Sequence, residues 1–529
     1  MKDLDIYIEI KGRQVKAGEI RAAGTGASGR AAGNTASGGA AGSTASGKAA
    51  GNAASGAPSS DTGESVFRYS DEYMAGTGGR QGRPISISLP LQKEPFTPEQ
   101  TRNFFSGLLP EGFMRRRVSE LVHVGEDDYT EILADLGREC IGAIKALPVE
   151  PGEAVQASGA DSRQAIQASG ADSRPAAQEQ EDSRPAANGS GKDAPGNNAE
   201  YVRLSRDEIA SLAGEGVVEA SELVMKAHLS LTGASGKVGL YLDPETKEWF
   251  LPVGEAPSTH IVKQSHIRLG GIIANEQLCL MTAKKLGIDV PKSFIIEMGG
   301  SRDSQVLLAT ERFDRKWPVG FDAGGKPVSG ADAERKRAAE AQLISGHVSP
   351  YRLHQEDFAQ ALGIPAKDKY EAPGDHYLGK AFKLLLDYSA RPVEDQIKLW
   401  KIVVFDYLIG NTDNHIKNIS LLYDKDIRSC RLAPAYDMLS TSIYEMSTDN
   451  MAFSIGGDMS IADITRDSFG REARMVGINE AAAYRQFDRM AKGFVKALDA
   501  SADELTRAGF ANAEEIKERI LETGGISRL

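Results

Sequence analysis

Asp413, His415, Lys417 and Asn418 fall within six residues of one another, in the stretch Gly410-Asn411-Thr412-Asp413-Asn414-His415-Ile416-Lys417-Asn418. Asp437 follows nineteen residues after Asn418. Asp-x-x-x-x-Asn and then a second Asp is the spacing of a protein-kinase catalytic loop and its metal-binding partner. Asp413 has the chemistry to orient an acceptor hydroxyl and take its proton. Asn418 and Asp437 offer the hard oxygens that Mg²⁺ prefers. Because Mg²⁺ keeps waters and shares nucleotide oxygens, one amide, one carboxylate and ATP suffice. Lys417 offsets phosphate charge. His415 has no second histidine at ligand spacing, so it reads as loop-orienting or phosphate-facing rather than as a zinc ligand. The plain alternative for the loop is an Asn/Asp-rich turn capped by its own side chains.

Elements upstream would have to position a nucleotide against this loop. His260-Ile261-Val262-Lys263 is a short apolar strand ending in lysine, and Glu276 lies thirteen residues on within a helical pattern of Ile272, Ile273, Leu280 and Met281. A kinase places its phosphate-binding lysine on such a strand and holds it with a carboxylate from the next helix. Taken singly, each is also a surface lysine and a solvated glutamate. Gly233-Ala234-Ser235-Gly236-Lys237 leads into another apolar strand. Small residues there let backbone N–H groups approach phosphate, with Lys237 adding charge, although taken alone the segment reads better as a plain hairpin turn and the Walker A pattern is absent. Val306 to Thr310 reads as a strand that turns polar at Glu311-Arg312-Phe313. That is either the adenine hinge of a two-lobed kinase or a strand end with surface charges.

Trp400, Val403, Val404, Tyr407 and Leu408 recur with helical period. Gly410 ends that helix, and Ile419, Leu421 and Leu422 begin a strand that would hold the loop rigid. Near the N-terminus Leu4, Ile6, Ile8 and Ile10 alternate with polar residues as in a half-buried strand, with Val15 to Ile20 returning. Ile85, Ile87 and Leu89 predict a further strand. Thr97-Pro98-Glu99-Gln100 predicts a helix start, and a second helix is expected over Tyr129–Leu136.

Two tracts interrupt this order. Residues 22–57 are four copies of a nine-residue Ala/Gly/Ser unit, and 151–199 repeat Gln-Ala-Ser-Gly-Ala-Asp-Ser-Arg. Neither has apolar surface to bury against the entropy of ordering. The expected division is therefore an N-terminal α/β unit over 1–150 with an insert at about 22–63, and a low-complexity linker over 151–199. ATP-binding strands follow over 200–316 and a helical lobe over 317–529.

Composition narrows the classes. A formal net charge of −12 disfavours direct, non-specific nucleic-acid binding. The three cysteines, Cys140, Cys279 and Cys430, are far apart and odd in number, against a disulfide framework or zinc spacing. No run approaches the ~18 apolar residues of a membrane span, and acids stand where a signal peptide would be basic. The expected location is cytoplasmic.

At these residues the chain resembles the HipA family, the serine/threonine kinase toxins of bacterial HipA/HipB toxin–antitoxin modules. Pro84-Ile85-Ser86-Ile87-Ser88-Leu89-Pro90-Leu91, Phe105-Ser106-Gly107-Leu108-Leu109-Pro110-Glu111-Gly112, Leu136-Gly137-Arg138-Glu139-Cys140-Ile141-Gly142-Ala143 and His354-Gln355-Glu356-Asp357-Phe358 carry the likeness outside the catalytic segment. The resemblance implies an α+β, two-lobed protein-kinase-like fold with a small N-terminal α/β subdomain and a mainly α-helical C-lobe. It implies ATP and Mg²⁺ as cofactors, Lys263 on the phosphates, Glu311 and Phe313 at the adenine hinge, and Asp413 as catalytic aspartate. Asn418 and Asp437 match the metal ligands, and Ser230 falls at the family's autophosphorylated serine. It implies a helix-turn-helix antitoxin of HipB type, DNA contact only through that antitoxin, and a translation protein as substrate, an aminoacyl-tRNA synthetase such as the glutamyl enzyme. The chain departs from kinases at large in having Asn411-Thr412-Asp413 for His-Arg-Asp and Asp437-Met438-Leu439 for Asp-Phe-Gly. A small-molecule phosphotransferase and an inactive kinase-like regulatory module are the competing readings, the first because antibiotic kinases share the Asp-x-x-x-x-Asn loop.

Overall fold

Period-two alternation sends the side chains of Leu4, Ile6 and Ile8, all fully buried, to one face of strand β1 (Leu4–Ile10). The computed structural model describes residues 2–23, 64–76, 82–149, 199–213, 236–265, 269–298, 306–318, 321, 325 and 343–529. In it β1 lies between β2 (Arg13–Ala22) and β4 (Ile144–Pro148). With β3 (Ser65–Tyr69) they form an antiparallel sheet of order β3-β2-β1-β4. Helix Pro98–Phe105 starts on a capping box, Thr97 with Gln100, as the sequence predicts. Helix Tyr129–Leu136 also forms where its pattern lies. Helix Gly112–Leu121 lies between them with no side-chain cap to announce it.

The strand expected at Ile85–Leu89 is instead a turn closed by a Ser86–Leu89 bridge. Ile85 and Leu89 are buried, as their alternation implies. The Glu356 carboxylate accepts the Ser86 hydroxyl at 2.5 Å and the Ile87 N–H at 3.2 Å, so a side chain takes the place of a ladder.

A second antiparallel sheet holds β5 (Glu200–Arg203), β6 (Lys237–Leu242), β7 (Trp249–Val253), β8 (His260–Gln264), β9 (Ser293–Glu297) and β10 (Val306–Glu311). Its order is β5-β7-β6-β8-β10-β9. Strand β10 ties two cores together. Leu307 and Ala309 enter the hydrophobic cluster shared with the first sheet, while Val306 and Leu308 enter the cluster built by the C-terminal helices. Helix Ile272–Lys285 packs in that second cluster, whose helices are Tyr377–Tyr388, Pro392–Ile409, Arg466–Val476, Glu480–Arg507 and Asn512–Thr523. Helix Pro392–Ile409 is more deeply set than the one-faced pattern predicts, since every residue from Ile402 to Ile409 is buried. An all-round buried helix is a central one. Among the described residues no helix is long and apolar enough to cross a membrane.

Candidate active site

Lys237 and Lys263 are cross-strand partners in the β6–β8 register. Directly opposed residues project from the same face of a sheet, and like charges so placed repel. Lys263 is compensated: its Nζ donates to Glu276 Oε1 at 2.6 Å and to Asp437 Oδ1. Burial would lower its pKa, but Asp437 and Glu276 outweigh burial and hold it above the ordinary lysine value. Lys237 makes no ion pair among the described residues. Burial, and then the charge of Lys263, lower its pKa against the pull of Asp437. Two half-buried ammonium groups on one face, one of them without an ion pair among the described residues, make a place for an anion.

Asp437 is delivered by a strained loop. Its φ of 57° lies in the left-handed region, which Asp tolerates better than most residues. Asn275, next to Glu276 on helix Ile272–Lys285, brackets that loop. Its Nδ2 donates to Ser440 C=O at 2.7 Å and its Oδ1 accepts the Ser440 N–H at 3.0 Å. Burial would raise the Asp437 carboxyl, yet Lys263 and Lys237 hold it well below the usual range, so it is ionised.

Gly410, at φ 68°, ends helix Pro392–Ile409, and a Cβ there would meet Ser442 Oγ. The loop beyond it is organised by Asp406, one turn back on the helix. The Asp406 carboxylate accepts from Asn411 Nδ2 at 3.0 Å and from Asn414 Nδ2, and its C=O accepts the Asn411 N–H at 2.8 Å. Asn411 Oδ1 in turn accepts the Asp413 N–H at 3.2 Å. The Asp413 C=O accepts the His415 N–H at 2.8 Å and Asn418 Nδ2 at 3.1 Å. Burial raises the Asp413 carboxyl, opposed by a hydrogen bond from the Tyr370 hydroxyl.

These groups face one cleft of about 790 Å³, within the range of small-molecule sites. Lys237, Lys263, Glu311, Phe313, Asp413, His415, Lys417, Asn418 and Asp437 all line it. Ser230 and Gly233 lie outside the described residues. In the segment expected as the hinge, the Glu311 N–H is bound to Lys292 C=O at 2.8 Å and the Arg312 N–H to Thr259 C=O at 2.9 Å. The Glu311 carboxylate pairs with Lys292 at 3.3 Å. The Phe313 N–H has no backbone acceptor among the described residues, and its ring lies 5.8 Å from that of Tyr436.

Lys417 lines the cleft, but its charge is already matched, contrary to its expected role on phosphate. Its Nζ donates to Asp357 Oδ2 at 3.0 Å and pairs with Glu111 Oε1 at 3.3 Å. His415 is held neutral, pushed down to about 3 by burial and then by Lys369. Its Nδ1 is buried with no hydrogen-bond partner among the described residues.

Sequence reasoning missed three contributors. Asp406 had a legible signal, a lone acid inside Val403-Val404-Phe405-Asp406-Tyr407-Leu408. Tyr370, 43 residues from the loop it touches, had none. The third is the N-terminal unit, which supplies Leu108, Glu111, Phe113 and Ile141 to the cleft wall.

The donor set fits Mg²⁺. Asn418 uses its amide nitrogen on Asp413 C=O, which leaves its oxygen for a cation, and Asp437 is an ionised carboxylate. No group of three or more His, Cys, Asp or Glu is placed to hold a metal among the described residues, so the rest of a coordination shell would come from nucleotide oxygens and water.

Strands that carry a paired lysine, a helix that carries its carboxylate, and a helical lobe that carries the Asp/Asn loop define an α+β protein-kinase-like fold. Within that class, residues 229–498 match the HipA-like C-terminal domain and residues 49–147 the HipA N-terminal domain. The chain belongs to the HipA family. It is 29% identical over 445 residues to the Sinorhizobium fredii protein named "Putative kinase Y4mE", covering 83% of this chain and 88% of that one. It is 25% identical over 438 residues to "Putative kinase Y4dM" of the same organism, covering 79% and 82%. Among solved structures it resembles a chain of the Shewanella oneidensis MR-1 toxin–antitoxin complex of HipA, HipB and operator DNA. The TM-score is 0.63 at 18% identity, over 99% of this chain and 97% of that one, a likeness of fold.

Proposed function

We propose that the protein is an ATP-dependent serine/threonine kinase and the toxin of a toxin–antitoxin pair. The observation that carries this is the convergence of Lys263, Glu276 and Asp437 from three separate elements on the cleft that Asp413 and Asn418 also line. Lys263 and Lys237 bind phosphate oxygens, and the segment from Glu311 to Phe313 receives the adenine, with the Phe313 N–H, which has no backbone acceptor among the described residues, donating to it. Asp413 orients the acceptor hydroxyl and takes its proton, with burial raising its basicity toward that task. Asn418 and Asp437 are the residues that would hold Mg²⁺, which when bound neutralises charge on the transferring phosphoryl group.

The family relationship and the neighbouring HipA–HipB–DNA complex support a helix-turn-helix antitoxin as partner. A net charge of −12 suits DNA contact made through that partner's basic surface rather than directly. The acceptors are a hydroxyl on a translation protein, the glutamyl-tRNA synthetase being the first to test, and Ser230 of the chain itself. A phosphate on Ser230 would add close to two negative charges three residues before Gly233 in the sequence.

Purified protein incubated with Mg²⁺ and labelled ATP is expected to label itself, with an intact-mass gain of one phosphate, and Asp413→Ala is expected to show neither. Equal labelling of the two proteins would remove Asp413 as the base.

A further inference from the structure

The Tyr370 hydroxyl donates to Asp413 Oδ1, yet the residue remains 47% exposed. Its backbone is braced rather than loose. Lys369 C=O accepts the Ile416 N–H at 3.3 Å, and Lys369 Nζ donates to Glu111 Oε2 at 2.8 Å. On the other side the Glu371 carboxylate accepts the N–H groups of Tyr377 at 2.7 Å and Ser454 at 3.1 Å. The Tyr370 ring stands edge-on to His415 with centroids 5.3 Å apart. Burial and the neighbouring Asp413 raise the phenol's pKa, so it stays a donor. In phosphoryl transfer the attacking hydroxyl must lie within hydrogen-bond reach of the base. A tethered hydroxyl of the chain itself occupies that reach here.

We propose that Tyr370 is an internal stand-in for the acceptor: its hydroxyl fills the acceptor subsite and must be displaced before a substrate hydroxyl, or water, reaches Asp413. This rests on the kinase reading above. Once Tyr370 is displaced, the acceptor O–H donates to Asp413 and the acceptor oxygen bonds to the terminal phosphorus of ATP. The bond from that phosphorus to ADP breaks, and the proton passes to Asp413. Tyr370 is about half open to solvent, so the displacing group arrives from outside, as a hydroxyl on an exposed protein segment does. Without such a segment, Tyr370 shields the nucleotide from hydrolysis.

The test is Tyr370→Phe in the full chain, which keeps the ring against His415 and removes only the hydroxyl. ADP release from Mg²⁺–ATP, without a protein acceptor, is measured for the wild type, Tyr370→Phe and the Tyr370→Phe/Asp413→Asn double variant. Tyr370→Phe is expected to release ADP about tenfold faster, the low end for a lost hydrogen bond to a charged group, and a gain in rate is a change that a merely structural role would not produce. The double variant is expected to fall to background. A rate at or below the wild type would overturn the proposal while leaving the kinase reading intact. No ADP from any folded form would overturn both.

Discussion

Replacing Glu139 with glutamine removes one of the carboxylates that face three buried guanidinium groups. Arg315 Nη2 lies 2.6 Å from Glu139 Oε1, Arg312 Nη1 lies 3.3 Å from the same oxygen, and Arg352 Nε lies 2.7 Å from Oε2. Asp314 and Glu9 supply the remaining negative charge, Asp314 to Arg312 and Arg315, Glu9 to Arg352. No side chain among Glu139, Arg312, Arg315 and Arg352 is more than 3% exposed, so solvent cannot take over the lost charge. Removing one partner of a buried pair costs about 3–5 kcal/mol, and the amide keeps one acceptor oxygen, which favours the lower figure. At about 2–4 °C per kcal/mol for a unit of 150–250 residues, the thermal midpoint should fall by about 6–12 °C. The assay is a tryptophan-fluorescence melt of the full chain. Adding Arg312→Met restores neutrality, so the double variant should be more stable than the two single effects predict by at least about 1 kcal/mol. The pH dependence carries the same sign. Burial would raise the Glu139 carboxyl, but Arg315, Arg352 and Arg312 hold it below the ordinary carboxylate range. Its contribution is therefore present above the unfolded value of about 4.3 and lost as pH falls toward the folded one. The wild type should lose stability on acidification below about pH 4 more steeply than the glutamine variant. A midpoint shift under about 2 °C with no recovery in the double variant would refute charge pairing as what holds the cluster.

Burial raises the Asp406 carboxyl to about 7, against the two asparagine amides that lower it. A raised folded pKa means stability that is complete below the unfolded value of about 3.9 and lost as pH rises through about 7. Melts at pH 6 and pH 8 should therefore differ more for the wild type than for Asp406→Asn, and equal slopes would count against the burial argument. Lys417→Met should lower stability by about 3–5 kcal/mol, chiefly through the orphaned Asp357, since Glu111 keeps Lys369. Lys237→Met, which breaks no ion pair among the described residues, should instead raise the KM for ATP with little change in melting. A selective KM effect at Lys417 would reverse that assignment.

Elements governed by short-range periodicity were legible in advance. Leu4, Ile6 and Ile8 announce their strand, Thr97 and Gln100 their cap, and Gly410 its left-handed stop, because each signal lies within a few residues of the structure it causes. The Asp413/Asn418/Asp437 spacing is also short in range: Asp413 and Asn418 share one loop, and Asp437 lies in the loop that follows the next two strands, Ser420–Tyr423 and Cys430–Leu432. Side-chain capture across the chain was not legible. Ile85 to Leu89 alternates like a strand but is held by a carboxylate 269 residues away. Lys417 has the charge to meet phosphate, yet its partners, Glu111 and Asp357, become neighbours only in the folded molecule. Sequence supplies the residue type, and only the fold supplies its competitor.

The same long-range contacts explain why the N-terminal unit is not a separable appendage. Glu9 and Glu139 reach across to Arg312, Arg315 and Arg352, and Arg312 is flanked by Glu311 and Phe313, the proposed hinge. Glu111 is held down to about 2, against its burial, by Lys417 and Lys369, one in the catalytic loop and one beside Tyr370. Leu108, Phe113 and Ile141 furnish apolar wall to the same cleft. A change in the seating of this unit would therefore act at both ends of the cleft, on the proposed hinge through the arginine cluster and on the proposed acceptor side through Glu111. A ligand or partner that binds the N-terminal unit differently in two such seatings would control the site without touching the nucleotide, since only differential binding shifts an equilibrium.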